Sequence, residues 1–398
     1  MNTPWENANW SVSPYNFAKQ ALAKFPQKVE IHDTTLRDGI SDPARGISIA
    51  IDQKVKIAQA LDELGIRRIE VGATNDAESK DLKTLANAGL KAKTFAMIPT
   101  AGFLWDEWKA VDIALKADLS GIICNFPASK YLIDKYLPGW TPDKMLEKSV
   151  GMVEYAEAHG LFVNLFEYDT TRTDPVFLER LLKAAVQAKT DTVSIVDTLG
   201  VVSPAGVAYL VELIKSWIDV PIELHMHDDF GLAYANTIVG MGVGAQVAQT
   251  TVNGIGRMAA TEDVITTLRV LYGKDSGIRY EKLYETCETI RESGKWSISP
   301  YKPISGALAF AYDSDARIDE NRSQRAPFLP EFIGHRYHIL LNQKTGPQGI
   351  RSRLTELGKS ATDQQVEKIL ALVKEHAAKS NQNLNDQEFI AIVKQVLH

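Results

Sequence analysis

The segment Glu223-Leu224-His225-Met226-His227-Asp228-Asp229-Phe230-Gly231 carries the densest chemistry of the chain. His225 and His227 stand two residues apart at the end of a short apolar run, Val220-Pro221-Ile222-Glu223-Leu224. If that run is a strand, its side chains alternate between faces and the two imidazoles point the same way. Two imidazoles on one face are half of a divalent-metal site. One carboxylate added to them gives three ligands with open positions. Such a site can hold both oxygens of a 2-oxo acid and polarise its carbonyl. Arg37 is a fixed cation for an enolate or alkoxide oxygen as charge develops, and Glu70 or Glu167 could hold its guanidinium by bidentate pairing. These parts suit carbon–carbon bond making or breaking next to a carbonyl. Two nitrogens and one carboxylate oxygen suit Zn, Mn, Fe or Co; oxygens added by water and substrate admit Mg.

These residues need a frame that brings them to one place. Between residues 28 and 273 short apolar runs alternate with longer amphipathic ones. The short runs are Val29–His32, Arg68–Val71, Thr94–Ile98, Gly121–Asn125, Phe162–Glu167, Thr192–Val196, Ile222–His225 and Gln246–Val252. Helical patterns lie between them, as at Ile51–Leu64, Pro142–His159, Asp174–Ala188 and Pro204–Trp217. Asp174-Pro175 and Ser203-Pro204 place a capping residue before proline at a helix start, and Gly65, Gly89 and Gly160 stand at helix ends. The rhythm is that of an α/β fold, a (β/α)8 TIM barrel with strands buried on both faces. An open doubly wound sheet is disfavoured, because the first strand leads into Asp-Thr-Thr-Leu-Arg-Asp-Gly and not into a glycine-rich phosphate loop. The expected organisation is an N-terminal extension (1–27), a catalytic barrel (28–274) and a mainly helical C-terminal subdomain (275–398), with late helices at Asp363–Lys379 and Asp386–Leu397.

In such a barrel the chemistry gathers at the C-terminal ends of the strands. Asp33, Arg37, Asp38, Glu70, Glu167, Asp169, Asp197, Thr198, His225, His227 and Asn253 all fall at those ends. Elsewhere the composition is unremarkable for a large soluble enzyme: 398 residues, 45% apolar, net charge −6 and two cysteines, Cys124 and Cys287. No basic stripe points to nucleic acid, no apolar run is long enough for a membrane span, and the cysteines give no disulfide framework. The N-terminus lacks the pattern of a signal peptide, so a cytoplasmic protein is expected.

His32-Asp33-Thr34-Thr35-Leu36-Arg37-Asp38-Gly39 resembles the opening motif of the DRE-TIM metallolyases. Ile69-Glu70-Val71-Gly72, Glu167-Tyr168-Asp169-Thr170-Thr171, Val196-Asp197-Thr198-Leu199-Gly200, His225-Met226-His227 and Asn253-Gly254-Ile255-Gly256 resemble later motifs of that family, in order. That family includes 2-isopropylmalate, homocitrate and Re-type citrate synthases and hydroxymethylglutaryl-CoA lyases. Lys302-Pro303-Ile304-Ser305-Gly306 and Phe332-Ile333-Gly334 resemble the segment that follows the barrel in the synthases. The resemblance implies a Claisen-type condensation of an acyl-CoA with a 2-oxo acid. It implies that Asp38, His225 and His227 bind the divalent metal and that Arg37 stabilises the enolate-like oxygen. Glu70 and Glu167 would pair with Arg37 or touch substrate, and Thr198 would face the 2-oxo acid carboxylate. It also implies a homodimer in which the post-barrel segment reaches the partner's site. An aromatic N-terminal group, Trp5, Trp10, Tyr15 and Phe17, could pack in that interface or cover the barrel floor.

The chain departs from the pattern at the proton-transfer residues. Tyr312 and Arg317 stand where the synthases carry histidines, and Phe328 stands where a tyrosine partners the first of them. Phenylalanine cannot transfer a proton, and Tyr312 needs a cationic neighbour, such as Arg317, to act as a base near neutral pH. The asparagine that completes the family's metal shell is missing from its usual place, and Asn253 is the nearest substitute. These departures keep a metal-dependent aldolase or lyase as the alternative activity, with a non-catalytic barrel behind it.

Overall fold

The structure is a computed structural model and describes residues 3–40, 49–99, 107–312 and 326–397. Eight parallel strands close into a barrel in sequence order: β1 (Glu30–Asp33), β2 (Arg68–Ala73), β3 (Lys93–Ile98), β4 (Gly121–Pro127), β5 (Phe162–Tyr168), β6 (Thr192–Asp197), β7 (Ile222–Met226) and β8 (Val247–Thr250). β1 pairs with β8 through Glu30 to Asp33, which closes the ladder and excludes an open sheet. This is the barrel that the alternating rhythm predicts.

The intervening helices form where apolar residues recur at helical spacing. In Ile51–Leu64, Ile57, Ala58, Leu61 and Leu64 are buried on one side, each large side chain contributing about 1.5–3 kcal/mol over exposure. Gly65 ends that helix in the left-handed region at φ 105°, where a side chain would be strained. Asp174 caps Pro175–Gln187 by accepting from the Val176 and Phe177 amides, and Ser203 caps Pro204–Trp217 through the Gly206 amide. Most strands run one or two residues past their apolar runs, so Asp33, Tyr168, Asp197 and Met226 belong to the ladder.

The barrel interior is polar in its middle layer. Glu223 of β7 accepts from Arg68 Nη1 (2.7 Å), Thr192 Oγ1 (2.7 Å) and Gln249 Nε2 (2.9 Å), and it contacts His32 Nδ1 at 3.1 Å. Asn164 and Ser194 extend the network: Asn164 donates to Thr192, Ser194 to Asn164, and Gln249 also to Ser194. Arg68 and His32 hold the Glu223 carboxyl well below the usual carboxylate range, although burial pushes the other way. A lone carboxylate here would cost several kcal/mol, and this many donors is what makes a charge tolerable in the interior.

By contact the chain forms two compact units, Ser13–Ser297 and Met1–Val12 with Ile298–His398. The helix Leu283–Ser293 belongs to the first unit. In the second, three helices, Pro347–Glu356, Asp363–Ser380 and Asp386–Val396, pack around Ile350, Leu354, Ile369, Val373, Phe389 and Val393. The last two begin with capping boxes, Thr362 with Gln365 and Asn385 with Glu388. Trp10 packs edge-on against Phe332, and the Leu329 amide donates to the Asn9 carbonyl. The early aromatics therefore divide: Trp10 serves the second unit, and Phe17 lies beside Gly273 in the first. Among the described residues no helix is long and apolar enough to cross a membrane.

Candidate metal centre and active site

The C-terminal ends of β1 and β7 bring Asp38, His225 and His227 together. One ligand atom from each lies within 4.8 Å of the others. Asp38 sits in a single wide helical turn, Thr35–Gly39, that follows β1. The loop after β8 closes on that turn at Gly256 (φ 75°), where a Cβ would lie 2.5 Å from the Asp38 carbonyl oxygen.

The neighbours of His225 fix its tautomer. Gln249 spends its amide nitrogen on Glu223 and Ser194, so its Oε1 is turned to His225 Nδ1 at 2.7 Å. Nδ1 therefore carries the proton and Nε2 presents a lone pair, an assignment that follows from the hydrogen-bond network. Nε2 lies 3.1 Å from Asp38 Oδ2. Two acceptors face each other, which is unfavourable without a cation between them. His227 Nδ1 is buried without a hydrogen-bond partner among the described residues. Burial lowers the His227 pKa to about 4, so the ring is neutral and able to ligate. Asp38 stays ionised: burial opposes charge, but the Arg37 guanidinium beside it holds its carboxyl well below the usual range. The donor set, two imidazoles and a carboxylate, fits a divalent metal.

Arg37 lies against this group. Its Nε donates to Glu70 Oε1 at 2.7 Å, its Nη1 pairs with Asp38, and the guanidinium carbon lies 5.7 Å from the Phe166 ring centre. Burial lifts the Glu70 carboxyl to about 7 against the pull of Arg37. Glu70 is thus the residue that orients Arg37. Glu167 does not pair with Arg37: it is fully buried, neither oxygen has a hydrogen-bond partner among the described residues, and burial raises its pKa to about 8. Thr198 Oγ1 accepts from the Asp169 amide at 2.9 Å, which leaves the hydroxyl proton to donate elsewhere.

A cavity of about 490 Å³ opens here, lined by Arg37, Asp38, Thr198, His225 and His227. Asn125, Tyr136, Tyr168 and Arg257 also line it. Sequence reading missed these four. Asn125 lies inside a run that reads as ladder, Tyr168 lies one residue past the fifth run, and Tyr136 lies on a short helix, Lys130–Tyr136, that the barrel rhythm does not require. The other strand-end carboxylates organise loops. Asp197 accepts from the Val201 and Val202 amides and from Thr171, and Asp33 accepts from the Thr35 amide and hydroxyl. The Asn253 side-chain amide donates to the Cys287 carbonyl. Tyr312 ends a two-residue strand paired with His338–Ile339, and its side chain, like all of Arg317, lies outside the described residues. Phe328 packs edge-on against Phe310 in an apolar cluster.

Glu167 makes stability depend on pH. The folded state keeps its proton up to about pH 8, whereas the unfolded chain releases it near 4.5. Between these values the folded state binds more protons, so stability falls as pH rises. Glu167→Gln removes that loss, worth at most about 1.4 kcal/mol per pH unit crossed. In metal-free protein the thermal midpoints of variant and native chain should coincide near pH 4.5 and separate toward pH 8, the variant being higher. A separation that does not change with pH would refute the assignment.

Residues 28–290 match the model of the HMGL-like family. A homocitrate synthase from Methanothermobacter thermautotrophicus is 37% identical over 393 residues, which cover 97% of each chain. An (R)-citramalate synthase from Methanocaldococcus jannaschii is 35% identical over 92% of this chain and 74% of its own. A probable 2-isopropylmalate synthase from Methanopyrus kandleri is 33% identical over 88% of this chain and 70% of its own. Among solved structures, a Bacillus HMG-CoA lyase superposes with a TM-score of 0.61 at 20% identity, covering 69% of this chain and 96% of that one, a likeness of fold. With strand-end motifs in the family order and nearly full-length synthase relatives, the chain belongs to the HMGL-like family, the DRE-TIM metallolyases.

Proposed function

We propose that this chain is an acyltransferase that condenses acetyl-CoA, or a close acyl-CoA, with a small 2-oxo acid. The observation that carries the reading is the Asp38, His225 and His227 group with Arg37 beside it at one end of the barrel. The relatives at 33–37% identity that bear synthase names support condensation over the lyase alternative.

In this reading Asp38, His225 and His227 hold the divalent metal, with Zn, Mn, Mg and Co as candidates. When bound, the metal supplies Lewis acidity toward the carbonyl of the 2-oxo acid. Arg37, held by Glu70, stabilises the oxygen on which negative charge develops. Thr198 donates its hydroxyl proton to the 2-oxo acid carboxylate. Glu167, neutral at pH 7, is a proton donor poised in a dry site. Tyr312 is the candidate base for the acyl-CoA methyl group, with Arg317 favouring its ionised form. The protein acts as a homodimer in which the segment bearing both residues serves the partner's site. Phe328 takes no part in proton transfer.

The test is thiol release from acetyl-CoA in the presence of a panel of 2-oxo acids and divalent metals. One 2-oxo acid should stimulate release at least about 100-fold over acetyl-CoA alone, within the range of enzymatic accelerations. Chelation should abolish the stimulation and metal restore it. If no 2-oxo acid stimulates release with any metal, condensation is not the activity. Pyruvate release from hydroxy acids would then support the lyase alternative.

A further inference from the structure

The opposite mouth of the barrel, at the N-terminal ends of the strands, holds a second cavity of about 500 Å³. Five cations line it: Lys28 before β1, Arg67 and Arg68 at β2, and Lys91 and Lys93 at β3. Two carboxylates also line it, and both are engaged. Glu30 pairs with Arg68 at 3.3 Å, and Asp191 accepts the Val163 amide at 2.8 Å. Lys28, Arg67, Lys91 and Lys93 are exposed and form no ion pair among the described residues. Lys93 rests over the Phe162 ring at 5.8 Å. The mouth is therefore positive on a chain whose net charge is −6.

Solvated lysines on a surface would repel one another apart. Here they converge on a concavity with low-dielectric walls, which focuses their field into it. The floor adds a built element. Arg68 is 5% exposed, its Nη atoms bind Glu223 and Glu30, and its buried Nε–H has no hydrogen-bond partner among the described residues. Arg68 fixes the floor, and the exposed Lys28, Arg67, Lys91 and Lys93 around it offer charged donors of the kind that recognise phosphate or carboxylate oxygens. The volume is that of a small-molecule site. Nothing in the proposed condensation uses this mouth: the metal ligands are at the other ends of the strands.

We propose that the N-terminal mouth of the barrel is a second binding site, for a small polyanion carrying two or more phosphate or carboxylate groups. Four unpaired cations on three adjacent strand starts select for a multiply charged ligand over a single anion.

The test is calorimetric titration of the full chain at constant ionic strength with pyrophosphate, inorganic phosphate and propane-1,2,3-tricarboxylate. The phosphate and carboxylate arms distinguish the two sources of anionic oxygens. At least one polyanion should bind one to one, and more tightly than inorganic phosphate. Lys91→Glu with Lys93→Glu should weaken that binding about tenfold or more, the effect of one charge-assisted contact. His225→Ala, at the metal end, should leave it unchanged. The proposal is overturned if no polyanion binds, if the charge reversals leave affinity unchanged, or if His225→Ala abolishes binding, which would place the anion at the metal.

Discussion

Replacing His225 with alanine is expected to lower kcat/KM for condensation by about 10³-fold or more, roughly 4 kcal/mol of transition-state stabilisation. Two losses combine. The variant has one imidazole in place of two, so the metal is held by too few donors. It also leaves Gln249 Oε1 buried and facing an empty space, since that oxygen is turned to His225 at 2.7 Å. Metal content measured on the dialysed protein should fall in parallel with the rate, and circular dichroism should remain that of the native barrel. His225→Gln is the companion variant, because its amide can still meet Gln249 while ligating poorly. A variant that kept its metal and its rate within tenfold of native would remove His225 from the ligand set, and the condensation reading would lose its main support.

Arg37→Lys should separate electrostatics from metal binding. The guanidinium reaches Glu70 through Nε and Asp38 through Nη1 at the same time, a geometry that a single ammonium cannot reproduce. Lysine keeps a positive charge near Asp38, so metal content should stay close to native. The loss of a preorganised donor aimed at the developing oxyanion should lower kcat by about 10²–10³-fold. KM for the 2-oxo acid should change far less, because the interaction strengthens only as charge develops. If kcat holds and only KM rises, Arg37 binds the ground state and the role assigned to it is wrong.

His225 and His227 were legible because period-two alternation and strand-end placement act together on a pair of residues whose type is chemically unambiguous. Arg37 and Asp38 were legible for the same reason, as a charged pair just past an apolar run. The barrel itself follows from eight repeats of one pattern, so an error in any single element leaves the fold intact. The strand ends were less legible. Apolar runs stop near the first polar residue, but the ladder continues through Asp33, Tyr168 and Asp197 because their backbones still pair with the neighbouring strands, whatever the side chain. Gln249 was not legible at all. Its importance comes from lying between Glu223 and His225, which are 24–26 residues away in sequence, and nothing local to β8 announces that. The choice between Glu70 and Glu167 as the partner of Arg37 was likewise a matter of distance, which spacing alone left open.

The polar layer inside the barrel bears on the order in which the chain can fold. Arg68 and His32 emerge early in synthesis, yet their shared partner, the Glu223 carboxylate, lies 155 and 191 residues further on. Until β7 arrives, the Arg68 guanidinium has only Glu30, at the barrel mouth, as a counter-charge, and its inward-facing Nη1 must stay hydrated. Closure and drying of the barrel are thereby tied to the delivery of one late carboxylate. The same strand carries His225, so β7 brings the central charge of the interior and an imidazole of the candidate metal centre to the barrel in one step.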